Sequence, residues 1–101
     1  MFIHSVYFWL REDLTAAELE QFQRGVHSLT KISSVRHAWV GRPATTDRPV
    51  IERSYSYSLT AVFDDYAAQD HYQVDPIHDV FREECGGLWS RVLIYDAVEE
   101  N

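Results

Sequence analysis

The chain has 101 residues, of which 46% are hydrophobic and 14% aromatic, and it carries a formal net charge of −7. This length suggests one domain, residues 1–101, whose modest core cannot readily hide so much aromatic surface, so we expect a homo-oligomer. An acidic chain without a basic stripe lacks the electrostatic footprint of a nucleic-acid-binding protein, so we expect no nucleic-acid partner.

The first predicted element is a β-strand over residues 3–10, where the side chains alternate between two faces. One face carries His4, Val6, Phe8 and Leu10. The other face carries Ile3, Ser5, Tyr7 and Trp9. Because both faces are largely apolar, we expect this strand to be covered on both sides.

A helix is predicted over residues 15–32. Thr15 and Glu18 have the spacing of a capping box, in which each side chain bonds to the other residue's backbone. Apolar residues then recur at steps of three and four, as Leu19, Phe22, Val26, Leu29 and Ile32. This stripe is typical of a helix that packs on a core. His27 flanks the stripe and is expected to be solvated.

Two further strands are predicted on either side of a loop. Residues 35–41 alternate, and residues 54–63 place on one face Tyr55, Tyr57, Leu59, Ala61 and Phe63. The loop over residues 42–53 brings together Arg42, Arg48 and Arg53. These arginines could bind an anionic ligand, although solvated loop charges are the simpler interpretation.

A broken helix is predicted next. An aspartate at position 64 or 65 caps a helix from residue 66, which ends by about residue 74 because the residue before Pro76 is pushed out of helical geometry. Asp75 and Pro76 then start a second helix, as its N-cap and first residue. His78 falls in the first turn, near free N–H groups. This position favours a neutral imidazole, which can accept a proton near pH 7.

The second helix is expected to turn Phe81 and Cys85 inward and to end at Gly86 and Gly87, which allow a left-handed residue. A last strand is predicted over residues 89–96. The acidic tail at 97–101 is expected to fray.

The order strand, helix, strand, strand, broken helix, strand predicts an α+β fold. It fits a ferredoxin-like β-α-β-β-α-β sandwich with a four-stranded antiparallel sheet and helices on one face. The sheet's other face is also apolar, and a second sheet is the simplest cover for it. We therefore expect a homodimer packed sheet to sheet, with Trp9 or Trp39 as an anchor.

Over nearly its whole length, the sequence resembles the stress-responsive dimeric α/β-barrel (Dabb) domain family. The segments that carry the resemblance are His4-Ser5-Val6-Tyr7-Phe8, Tyr72 with Asp75-Pro76-Ile77-His78, and Leu88-Trp89-Ser90-Arg91-Val92-Leu93-Ile94-Tyr95-Asp96. The resemblance implies the same ferredoxin-like unit, paired so that two sheets form a barrel between subunits.

In one branch of that family, the plant polyketide cyclases, an aldol condensation closes a linear tetraketide thioester product. The resemblance implies that Tyr72 and His78 match the tyrosine and histidine paired in that branch's pocket, and that His4 matches its strand-one histidine. Tyr57 stands where that branch has a third histidine. A phenol, with a pKa of about 10, is a poor base at pH 7.

Two interpretations of His4, Tyr57, Tyr72 and His78 remain open. They could line a pocket for a small aromatic or keto metabolite, with lyase- or cyclase-type acid–base chemistry at Tyr72 and His78 and no cofactor. They could instead form a buried polar cluster in a non-catalytic ligand-binding or stress-tolerance module.

Other kinds of site are disfavoured. The histidines show no metal-ligand spacing, and neither HExxH nor CxxC occurs, so no metal is expected. Cys85, the single cysteine, excludes an internal disulfide and follows two acids that raise a thiol's pKa. Residues 1–5 lack a basic leader and no apolar run is long enough to span a membrane. We therefore expect a cytoplasmic protein with no membrane partner.

Overall fold

A computed structural model describes all 101 residues, Met1–Asn101. The elements follow in the order β1 (Phe2–Leu10), α1 (Ala16–Ser28), β2 (His37–Gly41), β3 (Tyr57–Phe63), α2 (Tyr66–Val74), α3 (Pro76–Cys85) and β4 (Trp89–Val98). The four strands form one antiparallel sheet in the order β2-β3-β1-β4. The predicted ferredoxin-like α+β fold is confirmed.

All three predicted helix starts form as the sequence indicates, and Asp65 caps α2 by accepting from the Ala68 N–H at 2.9 Å. The Thr15 hydroxyl accepts from the Glu18 backbone N–H at 3.1 Å, while the Glu18 carboxylate accepts from the Thr15 N–H at 2.9 Å. Asp75 caps α3 by accepting from the Ile77 N–H at 2.8 Å. Each cap satisfies backbone donors that have no partner inside the helix.

The core lies between the helices and one face of the sheet. Phe8 of β1 is at its centre, with ring centroids 5.1 Å from Phe22 of α1 and 5.1 Å from Trp89 of β4. Phe81 of α3 stacks on Trp89 at 5.7 Å. Such aromatic pairs contribute about 0.5–1.5 kcal/mol each beyond their burial, so this cluster holds α1 and α3 against the sheet.

The other face of the sheet carries no helix. Tyr7 and Trp9 project from β1 on this open face, and β2 and β4 add Trp39 and Tyr95, which are 59% and 62% exposed. Exposed aromatic side chains in such numbers are unusual for a monomer's surface. None of the helices on the opposite face is both long enough and apolar enough to cross a membrane.

The predicted helix over residues 15–32 is wrong at its end. The α-helix stops at Ser28, and a 3₁₀ turn over Leu29–Lys31 follows. The tighter turn still buries Leu29 and Ile32, as predicted, but Leu19 is 37% exposed. His27 is exposed, as expected.

The strand boundaries also differ from those predicted. The second strand begins at His37 rather than at residue 35, and the third begins at Tyr57 rather than at residue 54. Just before Tyr57, the Ser56 hydroxyl accepts from the Leu10 N–H at 2.9 Å, in place of a backbone carbonyl. This side-chain hydrogen bond ends the regular backbone hydrogen bonding between β1 and β3. Tyr55 therefore lies on the open face, 5.0 Å from the Tyr7 ring, and not on the core face.

Two predictions about chain ends are corrected. The strand β4 extends to Val98, since Ala97 and Val98 pair with Ile3 and Phe2 of β1, so they belong to the sheet rather than to a frayed tail. Gly86 ends α3 in right-handed geometry, at φ −59° and ψ −22°. A Cβ there would lie 2.6 Å from the Arg82 carbonyl oxygen, so close approach is what requires glycine.

Gly25 lets α1 approach α3. A Cβ at this position would lie 2.5 Å from the Cys85 Sγ and 3.1 Å from the Phe81 ring. We predict that Gly25→Ala lowers the free energy of unfolding by about 1–3 kcal/mol, because overpacking outweighs the better helix propensity of alanine. In a Cys85→Ala background, which lacks the sulfur, the same change should cost less. Chemical denaturation of the four proteins tests this, and an equal cost in both backgrounds would contradict it.

Candidate functional site

A cavity of about 240 Å³ lies between the helices and the sheet, beside the edge strand β4. Of its thirteen lining residues, the nine hydrophobic ones are Val6, Phe8, Leu29, Leu59, Tyr72, Phe81, Trp89, Val92 and Ile94. The polar ones are His4, Gln73, His78 and Arg82. A mostly apolar cavity with a few converging polar groups is typical of small-molecule sites.

The break between α2 and α3 places Tyr72 and His78 in contact. Asp75, between the two helices, is extended at φ −66° and ψ 139°, as expected before Pro76. Tyr72 lies in the last turn of α2 and His78 in the first turn of α3. Their ring centroids are 5.0 Å apart in an edge-to-face arrangement, so the side chains meet although they share no helix face.

His4 enters the cavity from β1. Its Nδ1 lies 2.5 Å from an Asp96 carboxylate oxygen, and the two residues are paired across β1 and β4. Because a carboxylate only accepts, Nδ1 carries the hydrogen of this bond, which leaves Nε2 of the neutral ring as an acceptor. The His4 ring is 5.7 Å from the Tyr72 ring. The carboxylate therefore sets both the tautomer and the orientation of His4.

Burial keeps both Tyr72 and His78 uncharged near neutral pH. Burial raises the pKa of Tyr72 far above its ordinary value. Burial is also the main reason that the pKa of His78 is lowered from 6.5, and the positive charge of Arg82 lowers it further. The Nδ1 of His78 is buried without a hydrogen-bond partner. The cavity thus presents a neutral phenol, which can donate, beside a neutral imidazole, which can accept.

The structure brings together three of the four residues proposed from the sequence. His4, Tyr72 and His78 line the cavity, but Tyr57 does not. Tyr57 pairs with Phe8, four residues along β1 from His4, which is a displacement of about 13 Å. Its hydroxyl accepts from the Gln23 side chain at 2.8 Å. Tyr57 is therefore a packed core residue at the other end of the sheet, and the expectation that it lines the pocket is wrong.

Two residues at the site were not anticipated from the sequence. Asp96 could have been found by alternation along β4, once β1 and β4 are known to be neighbours, because it is opposite His4. Arg82 carries a signal in its spacing, since it lies one helical turn after His78 and shares its face. The loop arginines take no part in the cavity: Arg53 pairs with Asp47 at 3.3 Å, and Arg42 packs over the Tyr57 ring.

Other kinds of chemistry find little support in the geometry. No group of three or more histidine, cysteine, aspartate or glutamate side chains is placed to hold a metal ion. The thiol of Cys85 is buried, and burial together with Glu84 raises its pKa. A buried, protonated thiol is a poor nucleophile.

Comparison with known proteins finds one matching family and several solved structures of the same fold. The sequence model of the family named stress responsive A/B barrel domain (Dabb) matches residues 2–99. A ferredoxin-like Dabb protein from Mesorhizobium loti is 24% identical, with a TM-score of 0.78, over 99% of this chain and 97% of its own. No curated protein matches significantly in sequence.

Two other solved structures share the fold at lower identity. A dimeric ferredoxin-like protein of unknown function from Thermobifida fusca is 16% identical, with a TM-score of 0.76, over 97% of this chain and 90% of its own. The hydroxynitrile lyase from Passiflora edulis is 14% identical, with a TM-score of 0.77, over 99% of this chain and 94% of its own. At these identities the likeness extends to the fold alone.

The lowered pKa of His78 predicts a pH dependence of stability. Between the folded-state pKa and the ordinary value of 6.5, the unfolded chain binds more protons than the folded one. The contribution of this group to stability is therefore complete above that window and falls as the pH drops through it. His78→Gln should flatten this part of the profile. Urea denaturation from about pH 7.5 to 5 measures it.

The exposed His27 on α1 supplies the matched control for that profile. His27→Gln should leave the slope of the parent protein unchanged. A His78→Gln profile as steep as that of the parent would show that His78 titrates alike in both states and would contradict the prediction.

Proposed function

Because the chain belongs to the stress responsive A/B barrel domain family, we propose that it is a homodimer that binds a small keto or phenolic metabolite and moves a proton on it, in lyase- or cyclase-type chemistry. The observation that carries this proposal is the contact between Tyr72 and His78 inside an apolar cavity. A neutral donor on the buried Tyr72 stands beside a neutral acceptor on the partly buried His78.

In this proposal His78 is the general base. It takes a proton from the carbon next to a ketone carbonyl, so the C–H bond breaks and an N–H bond forms on the imidazole. The electron pair moves into the carbonyl, whose oxygen becomes an enolate oxygen. Tyr72 donates a hydrogen bond to that oxygen, because its raised pKa keeps the phenol protonated. The step needs no metal ion and no cofactor.

His4 acts in this scheme as a second polar contact for the substrate. Its Nδ1 is engaged by Asp96, so Nε2 is the nitrogen that remains for a ligand hydroxyl or carbonyl-bound water. A carboxylate behind a histidine also stabilises the imidazolium if that ring takes up a proton. His4 and His78 flank Tyr72 at 5.7 and 5.0 Å, so a small ligand in the cavity reaches all three side chains.

The hydroxynitrile lyase from Passiflora edulis is an enzyme with this fold. At 14% identity its substrate does not transfer to this chain. The substrate class proposed here depends instead on the residues in the cavity: an apolar lining for a ring or alkyl body, and donors and acceptors for a carbonyl or phenol oxygen.

The second candidate is a non-catalytic ligand-binding or stress-tolerance module. The packing around Tyr72 favours it, because the ring also makes an edge contact with Phe63 at 5.1 Å and is 1% exposed. A tyrosine held on several sides stabilises the fold whether or not a reaction occurs. Binding without turnover separates this candidate from the first.

The open face of the sheet supports the proposed homodimer. Tyr7, Trp9 and Tyr55 pack edge to face, and Arg91 covers Trp9 with its guanidinium 4.3 Å from the ring centroid. The related protein from Thermobifida fusca is described as dimeric. A second copy of the same face would bury these rings and complete a barrel of two sheets.

We predict that sedimentation finds a dimer at micromolar concentration, with an interface of about 1,500 Å² or more in total. Tyr7→Glu places a charge in the centre of the open face and should shift the protein towards monomer. Val80→Glu on the outer side of α3, where Val80 is 48% exposed, is the matched control and should remain dimeric. A folded monomeric parent protein would refute the prediction.

The chemistry can be tested without knowing the substrate. In D₂O, His78 should accelerate deuterium exchange at the α-carbon of simple ketones such as acetophenone and phenylacetone, followed by NMR. We predict that His78→Ala lowers the enzymatic exchange rate by about 10²–10⁴-fold, the usual contribution of a general base. Tyr72→Phe should lower it as well, because the enolate oxygen loses its donor.

Two controls accompany this measurement. His27→Ala should exchange at the parent rate, since that histidine is exposed on α1. Thermal unfolding should show that His78→Ala costs no more than about 1 kcal/mol, whereas Phe81→Ala costs roughly 3 kcal/mol or more. A parent protein that binds the ketones but does not accelerate exchange would remove the enzyme and leave the binding module.

A further inference from the structure

The polar residues that line the cavity include a cation but no anion. Its four polar residues are His4, Gln73, His78 and Arg82, and no carboxylate lines the cavity. The nearby Asp96 is engaged by His4. Gln73 and Arg82 can donate hydrogen bonds to a ligand, whereas the two neutral imidazoles can accept them, and the one full charge among the four residues is positive. The positive charge of the cavity lining is therefore opposite in sign to the net charge of the chain, which is −7.

Arg82 makes no ion pair within the chain. The six pairs that the structure contains involve other cations, although Asp79 and Glu83 are close to Arg82 on α3. Its guanidinium is exposed and lies near enough to His78 to lower that group's pKa. A guanidinium with five donors and no protein partner is suited to a carboxylate in bidentate geometry.

The position of Arg82 marks the mouth of the cavity. Arg82 follows His78 by one helical turn, and the facing wall is the edge strand β4, where Val92 and Ile94 are 39% and 50% exposed. The interior beyond them is closed by Phe8 and Trp89, whose rings are 5.1 Å apart. The cavity therefore has a charged, exposed entrance and an aromatic interior in which Phe8 is buried.

We propose that the ligand of this cavity is an amphipathic carboxylic acid, bound with its carboxylate on Arg82 and its ring or alkyl body against Phe8 and Trp89. The inference rests on the proposed function and narrows its substrate class to keto acids and phenolic acids. With the carboxylate at the mouth, the carbonyl or phenol oxygen falls between Tyr72 and His78. At about 240 Å³, below the range of drug-sized pockets, the cavity suits a body of about one ring.

Matched pairs of probes test the proposal by calorimetry: phenylacetate against phenylacetamide, and hexanoate against hexanamide. Each amide has the shape of its acid but no charge. The parent protein should bind each acid at least about tenfold more tightly than the amide. In Arg82→Gln the preference for each acid over its amide should disappear, because the variant lacks the cationic guanidinium that a carboxylate pairs with. Raising the salt concentration should weaken acid binding alone.

Arg24→Gln is the control, because Arg24 lies on α1 outside the cavity and its side chain is 72% exposed. Its one ion pair is with Glu20, at 4.0 Å. It should keep the acid preference. The inference is overturned if the parent binds amides as tightly as acids, or if Arg82→Gln keeps the preference. Binding of neutral ketones and amides without acid preference would leave the proposed function standing, whereas no binding of any probe would overturn both.

Discussion

The conformation that Pro76 imposes on Asp75 decides where the polar side chains of the cavity lie. A continuous helix over residues 66–85 would place Tyr72 and His78 six positions apart, on different faces. The extended backbone at Asp75 instead turns the chain between α2 and α3. The last turn of one helix then meets the first turn of the next, and the two rings touch. The same aspartate caps α3, so the break costs little in unsatisfied backbone donors.

Much of this arrangement could be predicted from local sequence. The Thr15 capping box, the Asp75-Pro76 helix start and the alternation of residues 3–10 each have a short-range physical cause, and the structure confirms them. Alternation tells which face a strand residue occupies, but it does not tell how far along the sheet that residue lies. Alternation therefore predicts the correct face for Tyr57 but not its end of the sheet, because position along the sheet depends on strand register.

The remaining differences have causes that involve distant parts of the chain. The start of β3 depends on the Ser56 hydroxyl reaching Leu10, and the extension of β4 depends on pairing with Phe2 and Ile3. Asp96 became a site residue only through its place opposite His4. Such contacts cannot be derived from helix propensity, turn chemistry or periodicity, since each of these describes neighbours in the sequence.

The hydrogen bond between His4 and Asp96 joins residues 92 positions apart. Because β4 is the last strand and an edge strand, the chain must close almost its full length into one loop before this bond can form. Contacts of such sequence separation form slowly compared with helices. Until residues 89–98 pair with β1, α2 and α3 therefore lack the wall that β4 provides beside them. The cavity therefore closes only when β4 pairs with β1, which is the pairing with the largest sequence separation in the sheet.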